Sequence, residues 1–184
     1  MQPSTGLPQE LLDKIIDGLH DEPDALKPCA LASRLLLERS QSHLFFTIRI
    51  HYPKASSRLL EVLKNNRRIC QYIRELIVRK DESGLHDPDL IHVIRMLASL
   101  ESLAIHGDDI KWNRLFSKEM TDTLVHLVRQ PSVTTLRISN GHLVPFDFLA
   151  VHKHLSSLQL RSSILAFSRM QVPLVSEMTT DSWN

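Results

Sequence analysis

The chain has 184 residues, 22 of them basic and 21 acidic, with 42% in the apolar set. This is the composition of a globular protein of one domain or two small ones, and it excludes a disordered, collagenous or disulfide-stapled chain. A formal charge of +1 offers no basic excess for phosphate neutralisation, and no apolar run exceeds four residues, so neither a nucleic-acid partner nor a membrane partner is expected.

The start, Met1-Gln2-Pro3-Ser4-Thr5-Gly6, has no basic segment and no apolar one, so a cytoplasmic or nuclear location is expected. Leu7-Pro8-Gln9-Glu10 then predicts a helix start, with proline early, where its missing N–H costs nothing, and an acid in the first turn. Leu11, Leu12, Ile15, Ile16 and Leu19 follow at helical spacing, and Asp13, Asp17 and Asp21 read as a hydrated polar face. His20-Asp21-Glu22-Pro23-Asp24 is expected to break this helix, Ala25-Leu26-Lys27 to form a short segment, and Pro28 to start a third helix through Cys29, Leu31, Ala32, Leu35 and Leu36. Three such short helices enclose little volume and must lean on a partner or on the rest of the chain.

These residues carry a resemblance. Leu7-Pro8-x-Glu10-Leu11-x-x-x-Ile15-Ile16-x-x-Leu19, then Asp24-Ala25-Leu26-x-x-Cys29-Ala30-Leu31-Ala32-Ser33-Arg34, then Ser40-x-x-His43-Leu44-Phe45, together resemble the F-box motif, in the version common in mushroom-forming fungi. Leu36 stands where that family usually has tryptophan, and Pro28 where it usually has a helix-former. The resemblance implies docking onto the Skp-type adaptor of an SCF (cullin-RING) ubiquitin ligase, with Leu7, Pro8, Leu11, Ile15, Leu19 and Leu31 as contacts.

From Phe45 onward the pattern apolar-x-x-apolar-x-apolar returns five times: Phe45/Ile48/Ile50, Ile73/Leu76/Val78, Leu100/Leu103/Ile105, Val133/Leu136/Ile138 and Leu155/Leu158/Leu160, at offsets of 28, 27, 33 and 22 residues. This is about the period of a leucine-rich repeat, with one strand and one helix per unit. The intervals carry helical punctuation. Leu59, Leu60, Leu63 and Cys70 make one stripe; Asp87-Pro88 supplies a cap and an N1 proline; Ser117 caps a helix that ends before Pro131. The interval holding Pro145, Phe146, Phe148 and Leu149 is short and weakly helical. Where the repeat family places asparagine or cysteine, three residues past the third apolar position, this chain has Pro53, Asp81, Asp108, Gly141 and Ser163, so the units are irregular. The expected fold is α/β: a three-helix F-box-like unit over residues 1–45, then an open arc of four or five strand–helix units with a parallel sheet over 46–165, then a polar tail over 166–184. The last strand is expected to leave an open edge.

If the pattern residues face the core, the residues beside them face outward together. A row of Arg49, Arg137 and Arg161, with Ile77 and Ala104 between, is expected to lie across the strands. Together with Arg79 and His106 it is expected to form a mildly basic surface for an unidentified protein substrate, of a chemistry that suits an acidic or phosphorylated segment. The five glycines, at 6, 18, 84, 107 and 141, permit no phosphate-cradling loop and no nucleophile elbow. No two of the ten histidines lie three or four apart, so no helical zinc motif can be written, and Cys29 and Cys70 read as buried free thiols. No cofactor, no metal and no catalytic residue is expected. The reading is a substrate-recognition subunit of the ligase, and the alternative is an interaction scaffold uncoupled from any ligase.

Overall fold

The structure is a computed structural model, and it describes residues 7–51, 53–80, 87–107, 111–145, 154–163 and 165–166. Three helices come first: α1 (Gln9–Asp17), α2 (Pro23–Ala32) and α3 (Arg34–Leu44). Pro8 stands just outside α1 as its N-cap residue, and its carbonyl accepts from the amides of Leu11 and Leu12. The α1 stripe is split: Ile16 is buried and Leu12 half-buried, whereas Leu11 and Ile15 face outward.

The second and third helices differ from the sequence expectation. Pro23, expected to break the chain, is the N1 residue of α2, which continues through Pro28 to Ala32. A proline at Pro28 removes one interior hydrogen bond without ending the helix. The break falls at Ser33, which is extended and whose Oγ accepts from the Leu35 amide, capping α3. α3 packs against both α1 and α2.

Five parallel strands follow: β1 (Thr47–Ile50), β2 (Glu75–Lys80), β3 (Ser102–Gly107), β4 (Thr135–Ser139) and, after a two-residue β5 (Val144–Pro145), β6 (Ser157–Arg161). They form one sheet in the order β1-β2-β3-β4-β6, and β5 pairs separately with β7 (Leu165–Ala166). The register puts Ile48, Leu76, Leu103, Leu136 and Leu158 in one row and Ile50, Val78, Ile105, Ile138 and Leu160 in another. The repeated pattern is therefore the sheet's core face, because one dipeptide step returns a strand's side chains to the same side.

Helices α4 (Pro53–Asn65), α5 (Pro88–Met96), α6 (Trp112–Leu115) and α7 (Lys118–Val128) connect the strands. Asp87 caps α5 by accepting from the Leu90 amide and Ser117 caps α7 by accepting from the Met120 amide, as the sequence predicts. Cys70 lies in a separate 3-10 turn (Arg67–Gln71) and packs against the core, not on α4. Both cysteines are free thiols but half-buried, where full burial was expected. The short α6 had no signal in the pattern. Phe146, Phe148, Leu149, Asp81, Asp108 and the tail from 167 lie outside the described residues. No described helix is long and apolar enough to cross a membrane.

Candidate functional site

Two surfaces hold the residues singled out in the sequence. The first belongs to the N-terminal helices. Leu7, Leu11, Ile15, Leu31 and Leu35 are 45% to 87% exposed and make up half of the large apolar side chains exposed in the described residues. Pro8 is exposed as well, and Leu19 is half-buried. Gln9 Nε2 donates to the Leu35 carbonyl at 2.9 Å, which holds the start of α1 beside the start of α3.

This unit is pinned by a polar cluster. Asp17 accepts from Arg39 Nε at 2.5 Å and Nη2 at 2.8 Å, and its Oδ1 lies 2.7 Å from His43 Nε2. These partners, Arg39 first, hold the Asp17 carboxyl down at about 2. Asp17 is thus no hydrated surface acid, as its four-residue recurrence with Asp13 and Asp21 suggested, but the tie between α1 and α3.

The second surface is the outward face of the sheet. Arg49, Ile77, Ala104, Arg137 and Gln159 share one row, while Arg79, His106, Ser139 and Arg161 share the next. Arg161 therefore stands opposite Ser139 and not in the row of Arg49 and Arg137. The residue between the second and third apolar positions of the last unit is Gln159. All three arginines nevertheless face the same side, since Arg161 is displaced from Gln159 by one dipeptide step.

Arg137 is engaged internally. Its Nη2 forms an ion pair with Glu75 two strands away and donates to Ser102 Oγ at 3.2 Å. Glu75 also accepts from Thr47 Oγ1 at 2.8 Å. The small side chains of Ser102 and Ala104 on β3 leave room for the arginine to lie across that strand. Register and side-chain size together would have revealed this pair in the sequence.

At the carboxyl ends of β1, β2 and β3 lies a hollow of about 350 Å3 bounded by Arg49, His51, Ile77, Arg79, His106 and Asn140, together with Gly107. His106 Nδ1 is in hydrogen-bond contact with Ser139 Oγ. Burial pushes the His106 pKa down first, and the positive charges of Arg79, Arg137 and His51 push it further. A carbon on Gly107 would meet the Asn140 carbonyl oxygen at 2.7 Å, and Asn140 itself is left-handed at φ 54. Among the described residues no group of three His, Cys, Asp or Glu side chains is placed to hold a metal. Comparison of the chain with protein-family profiles, with curated proteins and with solved structures finds no match.

Proposed function

We propose that the chain is a substrate-recognition subunit of an SCF-type ubiquitin ligase, in which the N-terminal helices dock onto the Skp-type adaptor and the sheet face holds a protein substrate. The observation that carries this reading is the exposure of Leu7, Leu11, Ile15 and Leu31. Monomeric proteins cover most large apolar side chains, and an exposed group concentrated in one small unit marks an interaction surface. Four of the six residues that the F-box resemblance assigns to the adaptor are among the five large apolar side chains left uncovered there, Leu35 being the other. Pro8, a fifth, is exposed beside them.

The repeat reading of the sheet has support in one hydrogen-bonded turn. Ser163 stands where a leucine-rich repeat places its asparagine or cysteine, and its Oγ accepts from the Gly141 amide at 3.3 Å and donates to the Arg161 carbonyl at 3.1 Å. It thereby performs the backbone-satisfying role of the residue it replaces. On this reading the sheet and its helices form an open arc of irregular units, and the chain brings a substrate to the ligase without reacting with it.

Binding of the full chain to a purified Skp-type adaptor tests the proposal. Saturable binding is expected, and Leu11→Asp with Ile15→Asp should weaken it by at least about 100-fold, because each change places a charge in an apolar interface. Both side chains are exposed, so the thermal midpoint should stay put. Absence of binding, or equal binding by the variant, overturns the ligase reading and leaves the uncoupled scaffold.

A further inference from the structure

We infer that Asn140 is a self-modifying position: in the folded chain its side-chain amide is lost as ammonia through attack by the Gly141 backbone nitrogen, leaving a carboxylate at the rim of the hollow. The inference goes beyond the ligase reading and rests on the turn at Asn140 alone.

The chemistry follows from the pair of residues. Asparagine is thermally labile because its amide carbon lies within reach of the next backbone nitrogen. Once deprotonated, that nitrogen bonds to Cγ and closes a five-membered imide. The Cγ–Nδ2 bond breaks, and the departing nitrogen takes up a proton and leaves as ammonia. Water then opens the imide at either carbonyl, giving aspartate or, with the main chain rerouted through Cβ, isoaspartate. Nothing is oxidised or reduced, and water is the co-reactant. A side chain on the following residue hinders the attack, and glycine has none. Asn140-Gly141 is the one Asn-Gly pair in the sequence.

The fold demands that pair. Asn140 is left-handed at φ 54, a conformation that glycine, asparagine and aspartate enter most readily. A carbon added to Gly141 would meet Val144 Cγ2 at 2.7 Å and Ile138 Cγ2 at 3.0 Å, and Val144 and Ile138 are buried, so the position takes glycine. The reactive dipeptide is thus built into the end of β4. Asn140 is exposed to the water that the second step consumes, and it borders the hollow. Aspartate tolerates the same left-handed turn, so the product keeps the fold.

Ser163 sets the pace. The Gly141 N–H donates to Ser163 Oγ at 3.3 Å, just beyond the usual N–H···O range of about 2.7–3.2 Å, so one long bond holds the attacking nitrogen. Asp17-Gly18 makes the contrast. The Gly18 amide donates to the Lys14 carbonyl at 3.1 Å, and Arg39 and His43 keep the Asp17 side chain ionised, a form with no amide to expel. At position 140 the product carboxylate joins Arg79 and His106 on the lining of the hollow. An added negative charge there favours the protonated ring, so the His106 pKa, now pushed down, should rise.

The test incubates the full chain in mildly alkaline buffer made with water enriched in heavy oxygen and maps its peptides by mass spectrometry over days. Asn140 should become labelled aspartate and isoaspartate at least about tenfold faster than Asn113, which is followed by Arg114. An intact Asn140, or one that reacts no faster than Asn113, overturns the inference, and so does product without the label. Urea below the unfolding transition should leave the rate flat; a rate that climbs with the unfolded fraction overturns the assignment to the folded chain. Ser163→Ala should speed the conversion about 2- to 10-fold, the worth of one hydrogen bond. Should that variant unfold, Ser163→Cys keeps nearly the same size and offers only a weak acceptor, with the same acceleration expected. A parent-like rate in the folded variant overturns the role given to Ser163. Asn140→Asp should titrate His106 at a higher pH than the parent by NMR, and an unmoved His106 overturns the placement of the new charge. Adaptor binding is measured separately, so its loss removes the ligase reading and leaves this one standing.

Discussion

At the scale of single residues, Asp17 shows how a surface-looking acid can hold a small unit together. It receives both forks of Arg39 and the ring of His43, so three residues from α1 and α3 share one charge-assisted knot. Side chains on both sides are about 40% exposed, and solvent screening therefore limits the contribution to about 1 kcal/mol. Because the folded carboxyl is held near 2, below its unfolded value, the stabilisation is fully present above the ordinary pKa of 3.8 and is lost as pH falls from there towards 2. Asp17→Asn should lower stability by about 1 kcal/mol at pH 7 and show a shallower loss between pH 4 and pH 2, both read from urea midpoints. An Asn variant with the parent's acid sensitivity would mean that other groups carry it. None of this was legible in the spacing Asp13, Asp17, Asp21, since a four-residue recurrence describes one helix face and says nothing of what the next helix brings to it. His43 secures the end of α3 to α1.

At the scale of elements, punctuation was read well where a side chain acts on its own helix and poorly where two signals compete. Asp87 and Ser117 cap α5 and α7 as their sequences predict. Pro23 and Pro28 compete, and both are admissible helix starts by local chemistry. The structure uses Pro23 and carries Pro28 inside α2, because Ser33 supplies a hydroxyl cap for α3 that an earlier start would have left without a partner amide. The Arg137 to Glu75 pair was hidden for a related reason: it is visible only once three strands are laid in register. Neighbouring connections are also tied by a buried polar contact. Ser56 on α4 donates to Asp87 Oδ2 at 2.7 Å, and the other oxygen of Asp87 accepts from the Leu90 amide at 3.0 Å. Both residues are buried, so Ser56→Ala would remove a hydrogen bond to a carboxylate shielded from water. The expected cost is about 1–3 kcal/mol in urea unfolding. A loss below about 0.5 kcal/mol would show that the remaining contacts of Asp87 suffice.

At the scale of the whole molecule, the sheet is a row of equivalent strands whose cover is not equivalent. Leu76, Leu103 and Leu136 occupy one row of the core face and are fully buried, yet Leu158, the next in that row, is 46% exposed. Leu160 is 40% exposed beside Ile138, which is buried. The sequence pattern is as regular in the last unit as in the others, which is why the spacing alone assigns all five strands to one core. Burial depends on whether a helix lies over the strand, and the helices α4, α5 and α7 pack side by side and share one apolar core with the earlier strands. The same chemical change should therefore cost different amounts along the row. Leu103→Ala removes a side chain with no exposure and should destabilise by about 2–5 kcal/mol, whereas Leu158→Ala should cost about 1 kcal/mol or less. Hydrogen exchange should follow the same gradient, with β6 amides opening at lower free energy than those of β3. Equal penalties, or equal protection across the two strands, would mean that β6 is covered in solution by a further layer. Its two leucines would then belong to a closed core and not to a thinly covered edge of the sheet.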